Sequence, residues 1–211
     1  LSDRTDLSSM PLSRLILSAL RAISRNYRAQ DIITMVKTGL TGVNVKDGAM
    51  FEEYCETWHI NGNRFTDDVW SMNPDGLTTQ KSARVEEILE AANRSRRILM
   101  EPLQKFANQL RSSTKMVDRC RALYDYLTCL KISEQLSERA KAELNAGRRR
   151  EAGETIGVYQ FLTARLTELC SVFPDTDLSI DEFISALTIL FAESDIGSVP
   201  NLHDCVVIGS A

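Results

Sequence analysis

Asp31-Ile32-Ile33-Thr34-Met35-Val36-Lys37-Thr38-Gly39-Leu40 reads as a short apolar helix that stops at a glycine. Ile32, Ile33, Met35 and Val36 supply the apolar positions, and Leu40 packs back after the stop. Glycine is favoured just past a helix end because it turns left-handed without a Cβ clash. The letters Lys37-Thr38-Gly39 invite comparison with a phosphate loop. That loop needs Gly-x-x-x-x-Gly-Lys-Ser/Thr after a strand. Here the order is wrong and a helix comes first, so the stretch is a helix terminus and the fold is helical from this point outward.

Upstream, Met10-Pro11-Leu12 opens a helix with Leu12, Leu15, Ile16, Leu20 and Ile23 at helical spacing, capped by Ser9 and fading near Asn26. Downstream, a helix is expected from Asp47 to Trp58, then a turn-rich loop at 59–65 and one short turn at Asp67 to Trp70. Asn73-Pro74-Asp75-Gly76 is a strong turn signal. Residues 82–111 give a long stripe that Pro102 should kink or divide. Thr114 and Ser133 stand where they would cap the next two helices, the first with Val117, Leu123, Tyr124, Leu127 and Leu130 on its apolar face. A helix over 151–172 ends before Pro174. Ser179 and Glu182 have capping-box spacing for a last helix, which Asp195-Ile196-Gly197 would end. Asp204 to Ile208 is the one strand-like phrase. The expected fold is all-α: a bundle of about eight helices over residues 1–203 and one short C-terminal strand over 204–211.

The 211 residues are 43% hydrophobic and 26% charged, an ordinary globular balance that argues against disorder. Net charge is −4, but it is uneven: −1 over residues 1–81, +6 over 82–150 and −9 over 151–211. A basic middle permits nucleic-acid contact without requiring it. The five cysteines, Cys55, Cys120, Cys129, Cys170 and Cys205, form no C-x-x-C pair, and their odd number argues against a disulfide framework. They fit small apolar roles in a reducing compartment, hence a cytoplasmic protein. No apolar run is long enough to span a bilayer and no signal peptide is recognisable. The chain opens at Leu1 and ends within a strand-like phrase, as if excised from something longer.

No catalytic, cofactor-binding or metal-ligating set converges. His59 reads as a surface or structural histidine. Glu52-Glu53, Asp67-Asp68 and Glu86-Glu87 are adjacent pairs, which point about 100° apart on a helix. Asp175, Asp177 and Asp181 lack the glycine and terminal glutamate of a calcium loop. The candidates for DNA contact are Arg94, Arg96 and Arg97, then Arg148, Arg149 and Arg150, with Lys37 as a minor one. Arginine suits phosphate because its planar fork donates two bonds at once. Glu90 and Glu101, four residues outside Arg94 and Arg97, would instead favour intrahelical ion pairs.

Taken in order, several phrases resemble the AddB (RexB) component of the bacterial AddAB (RexAB) helicase–nuclease. They are Met10-Pro11-Leu12 with Leu15-Ile16-Leu17, and Asp31-Ile32-Ile33 leading to Val36-Lys37-Thr38-Gly39-Leu40. Phe51-Glu52-Glu53-Tyr54 then precedes Ile60-Asn61-Gly62-Asn63-Arg64-Phe65, where the family has Trp in place of Phe65. Glu182-Phe183, Ile196, Pro200 and Asp204-Cys205-Val206-Val207-Ile208-Gly209 complete the set.

The resemblance implies a non-catalytic helical subdomain like the 2B subdomain of superfamily 1 helicases, with the final strand re-entering a RecA-like domain. It implies a parent that unwinds and resects broken DNA ends using ATP, Mg and an iron–sulfur cluster, alongside an A subunit, with no membrane partner. The parent's nucleotide and cluster residues fall outside this stretch, so this fragment would hold no cofactor of its own. A self-standing helical protein–protein interaction module is the alternative.

Overall fold

A computed structural model describes residues 7–67, 69–77 and 82–192. Among them are eight α-helices: α1 (Pro11–Ser24), α2 (Ala29–Lys37), α3 (Val45–Thr57), α4 (Ala83–Ser112), α5 (Met116–Cys129), α6 (Ile132–Asn145), α7 (Arg149–Val172) and α8 (Ile180–Ala192). Short 3-10 turns lie at Leu7–Ser9 and Gly62–Thr66. The all-α expectation holds for these residues, where the only strand-like pairing is an isolated antiparallel bridge between Lys115 and Asp177. The expected stop at Asp195-Ile196-Gly197 and strand at Asp204 to Ile208 lie outside the described residues.

Helix α1 sits at the centre, packed against α2, α4 and α8. Leu12, Leu15, Ile16, Leu17, Ala19, Leu20, Ala22 and Ile23 are all buried along it, so it is apolar nearly all round. Each such Leu or Ile contributes about 1.5–3 kcal/mol through burial. Only Pro11, Arg14, Arg21 and Ser24 of α1 escape burial. Pro11 takes the first helical position as expected, but Met10, not Ser9, is the N-cap and offers no side-chain bond.

The DIITMVKTGL stretch forms α2 and its exit. Ile32 and Met35 are fully buried, and Gly39 takes φ +70°, the left-handed turn its place required. Thr38 Oγ1 donates to Met35 O at 2.6 Å, and Leu40, 3% exposed, packs inward. The start of α2 is held from far away. Asn61 Oδ1 accepts from Ala29 N at 2.9 Å, and Gly62 N donates to Tyr27 O at 3.0 Å. The Ile60-Asn61-Gly62 phrase is therefore a clasp on the entry to α2.

Helices α2 and α3 approach closely at Gly48. A Cβ there would lie 2.9 Å from Val36 Cγ1. Gly48→Ala gains about 1 kcal/mol of helix propensity, but overpacking against a stiff β-branched side chain costs about 1–3 kcal/mol. We expect Gly48→Ala to lower the urea midpoint, and Val36→Ala in the same chain to restore it. Two independent, additive losses would contradict this close packing.

Several local expectations are corrected by longer-range demands. Helix α3 starts at Val45 because Asn44 caps it, accepting from Asp47 N at 2.9 Å. A short turn forms at Gly62–Thr66, while the one placed at Asp67 to Trp70 includes Asp68, which lies outside the described residues. Helix α4 runs undivided through Pro102. Thr114 does not cap α5, since its hydroxyl is bonded to Asp177 and its carbonyl accepts from Leu178 N at 2.8 Å. Ser133 does not cap α6, which follows a left-handed Lys131. Tyr126 is buried against Phe106, with ring centroids 4.7 Å apart, while Tyr124 is 52% exposed. The Ser179–Glu182 capping box forms as expected, with reciprocal bonds of 2.7 and 3.2 Å. So does the Asn73–Gly76 turn, closed by Gly76 N to Asn73 O at 3.0 Å.

Candidate nucleic-acid interface

Arg94, Arg96 and Arg97 of α4 line a hollow of about 540 Å³ together with Val69, Trp70 and Asn93. Trp70, which lines it, belongs to an aromatic cluster. Trp70 stacks on Tyr54 at 5.1 Å and on Phe51 at 5.7 Å, and meets Phe65 at 5.9 Å. Phe65 is fully buried within this cluster. Asn93 fixes the Trp70 backbone reciprocally, accepting from its N–H and donating to its carbonyl at 2.8 Å each. Spacing alone gives no sign of that clamp.

The three arginines are not equivalent. Arg94 Nε bonds Asp47 Oδ2 at 2.8 Å, joining α4 to α3 rather than pairing with Glu90. Arg96 is buried, lies 5.7 Å over the Trp70 ring and donates to the carbonyl of Asp67. Arg97 is exposed and makes no ion pair with Glu101 or any other described residue. The expected intrahelical pairs therefore do not form, because a better-placed carboxylate on α3 takes Arg94.

Arg148, Arg149 and Arg150 stand at the start of α7. All three are exposed, and Arg150 pairs with Glu154 at 2.9 Å. The N-terminal end of a helix dipole is itself positive, so this terminus concentrates charge that favours an anion. Lys37 is bound to Glu52 at 2.6 Å.

Two carboxylates are shifted in opposite directions from their usual value. The Arg94 hydrogen bond holds Asp47 below its usual value of 3.8 against the opposing effect of burial. Its stabilising contribution is present above 3.8 and is lost as pH falls through the lowered value. Burial raises Asp31 above 3.8, opposed by Arg25, Arg21 and Arg28. Its stabilising contribution is complete below 3.8 and is lost as pH rises through the raised value. Asp31→Asn should therefore raise the melting temperature at neutral pH, with the gain shrinking toward pH 4. A gain that persists undiminished in acid would refute the burial account.

Asp175 pairs with Lys115 at 3.2 Å, Asp177 with Thr114, and Asp181 with Ser24 at 2.5 Å, so the three aspartates face three different partners. Among the described residues no group of three or more His, Cys, Asp or Glu could hold a metal ion. Burial pushes the thiols of Cys55 and Cys120 far up, and Cys170 adds to the effect on Cys120. His59 is exposed, with φ +47°. No helix among the described residues is long and apolar enough to cross a membrane.

No family model matches the chain. Individual relatives do. The chain is 30% identical over 209 residues to the B subunit of the ATP-dependent helicase/deoxyribonuclease of Acetivibrio thermocellus, covering 98% of this chain and 18% of that protein. It is 27% identical over 215 residues to the protein of the same name from Ruminiclostridium cellulolyticum, with 100% and 18% covered. A third, from Clostridioides difficile, is 25% identical over 208 residues, with 98% and 18% covered. The chain thus spans less than a fifth of the curated relatives it matches. Over nearly its whole length it resembles one segment of the ATP-dependent helicase/deoxyribonuclease B subunit.

Proposed function

We propose that this chain is the 2B-like helical subdomain of an AddB-type protein, part of an ATP-dependent helicase–nuclease that unwinds and resects DNA double-strand breaks for recombinational repair. In this reading it carries no chemistry of its own. ATP, Mg and an iron–sulfur cluster would act elsewhere in a cytoplasmic parent paired with an A subunit. The observation that carries the reading is the likeness over 98% of this chain to proteins named for both activities. The all-α packing is compatible with a scaffold along a DNA path. Arg148 and Arg149, exposed at the start of α7, supply a phosphate contact of the sort that positions a protein on a duplex.

The isolated chain should show no ATPase and no nuclease activity, and weak, salt-sensitive binding to duplex DNA. Metal-dependent cleavage abolished by changing an acid within this chain would overturn the proposal. Charge reversal at Arg148, Arg149 and Arg150 should weaken binding more than reversal at Arg94 and Arg97, because Arg94 is already spent on Asp47. Equal binding by wild type and the Arg148–Arg150 reversal at low salt would remove that interaction.

One observation favours a protein-binding module instead. Val117, Tyr124, Leu166 and Cys170 line an open groove of about 300 Å³ between α5 and α7. Under that reading the chain binds a protein partner and leaves DNA alone at low salt.

A further inference from the structure

Helix α1 is buried on every side except one strip, and that strip is basic. Within the helix Arg14 is exposed and Arg21 half-buried, and Arg25 and Arg28 are exposed in its exit turn. At 100° per residue, Arg14, Arg21 and Arg25 fall within about 40° of one another. From Arg14 to Arg25 the strip is about 16 Å long, close to the rise of five base pairs. We propose that Arg14, Arg21, Arg25 and Arg28 form a second DNA-backbone contact, gripping duplex phosphates along α1 and its exit turn. This inference rests on the reading above that the chain works on DNA.

Three observations support it. None of the four arginines forms an ion pair or side-chain hydrogen bond with a described residue, unlike Arg84, Arg94, Arg121, Arg139, Arg150 and Arg165. Arg21, Arg25 and Arg28 converge on a single acid, Asp31, which is 8% exposed and whose Oδ2 has no hydrogen-bond partner. Three cations around one buried carboxylate, with Asp181 bonded to Ser24 at 2.5 Å as the other acid at this end of α1, leave an excess of positive charge whose guanidinium donors are unspent. The backbone of the exit turn is also pinned by hydrogen bonds. Asn26 and Tyr27 adopt φ of +52° and +54°, and Tyr27 is tied to Ala22 O at 2.6 Å and to Gly62 N at 3.0 Å. Arg25 and Arg28 flank that turn, so binding has their side chains to order but not the backbone that carries them.

A helix C-terminus favours nearby cations by a few tenths of a kcal/mol to about 1 kcal/mol. That effect fades within the last turn and does not account for Arg14, three turns upstream. The charge is also hidden in the bulk numbers, because residues 1–81 sum to −1.

The test is a salt titration of duplex DNA binding by the chain, followed by fluorescence anisotropy, with folding checked by circular dichroism. Arg21→Gln, Arg25→Gln and Arg28→Gln together should weaken low-salt binding at least about tenfold. The slope of log affinity against log salt should fall by about 2–3, at roughly 0.9 for each phosphate no longer neutralised. Arg25→Gln with Arg28→Gln, both exposed, should lower it by about 1–2, and this pair carries the test if the triple variant misfolds. Lysine at the same three positions should keep the slope. Unchanged slopes in the glutamine variants of a chain that binds DNA overturn this inference alone. A wild-type chain that ignores duplex DNA at low salt overturns the DNA reading and this inference together. Retention on anionic lipid vesicles without DNA binding assigns the strip to a membrane surface and also overturns it.

Discussion

Arg119→Met should cost about 3–5 kcal/mol, the largest loss expected from a single polar residue in this chain. Arg119 is 3% exposed. Its Nε donates to Leu178 O at 2.8 Å and its Nη1 to Leu110 O at 3.2 Å. Leu110 lies in the last turn of α4, whose carbonyls have no partner within the helix. Leu178 ends the segment that pairs with 114–116 through Met116 N to Thr176 O at 2.9 Å and Leu178 N to Thr114 O at 2.8 Å. One guanidinium therefore joins the end of α4, the body of α5 and the approach to α8. Methionine fills much of the volume but strands the buried carbonyl of Leu110 and the part-buried one of Leu178. For a chain of this length the loss corresponds to a melting temperature lower by about 10 °C. Lysine keeps the charge but not the fork and should fall between the two. A methionine variant melting within about 2 °C of wild type, the shift for roughly 1 kcal/mol or less, would show that the clamp is dispensable.

Trp70→Ala is expected to cost a similar amount, about 3–5 kcal/mol, for a different reason. Trp70 lies outside any helix yet is 3% exposed, and it is the ring that Phe51, Tyr54 and Phe65 share. Its Nε1 donates to Arg64 O at 2.9 Å, and Arg96 covers its outer face. Removing it opens a cavity between α3 and α4 and frees the segment that Asn93 clamps. Urea unfolding followed by circular dichroism measures the loss, and the fluorescence of Trp58 reports whether the neighbouring turn loosens. Trp70→Phe should recover most of the stability. A midpoint unchanged by the alanine would mean that the cluster is not a packed core.

Much of the helical layout is legible in the sequence because it is written locally. The stripes of α1, α4 and α8, the Gly39 stop, the Asn73–Gly76 turn and the Ser179–Glu182 box each depend on residues a few positions apart. The misreadings share a cause. Ser9, Thr114 and Ser133 have capping chemistry, yet Thr114 is taken by Asp177, 63 positions away. Tyr124 and Tyr126 are equally apolar as letters, and only the position of Phe106 decides which is buried. At the candidate interface, spacing pairs Arg94 with Glu90 because four residues is the range that spacing can see. Its true partner, Asp47, is 47 positions back. The arginines of α1 escape notice because they are spread singly along a helix, whereas Arg148-Arg149-Arg150 announces itself as a run.

The clasp of Asn61 and Gly62 on the entry to α2 has a kinetic consequence. A nine-residue helix is too short to persist alone in water. Its first turn is completed by a side chain 32 positions downstream, and its last by Thr38 and Gly39. The amides of Ile32 to Val36 should therefore exchange with solvent at the rate at which the 60–62 loop lets go, not at the rate of fraying from the nearer end. Asn61→Ala would accelerate their exchange together, as one cooperative unit. The phrase that first declares the fold is thus the part of it that cannot close until the chain has come back around.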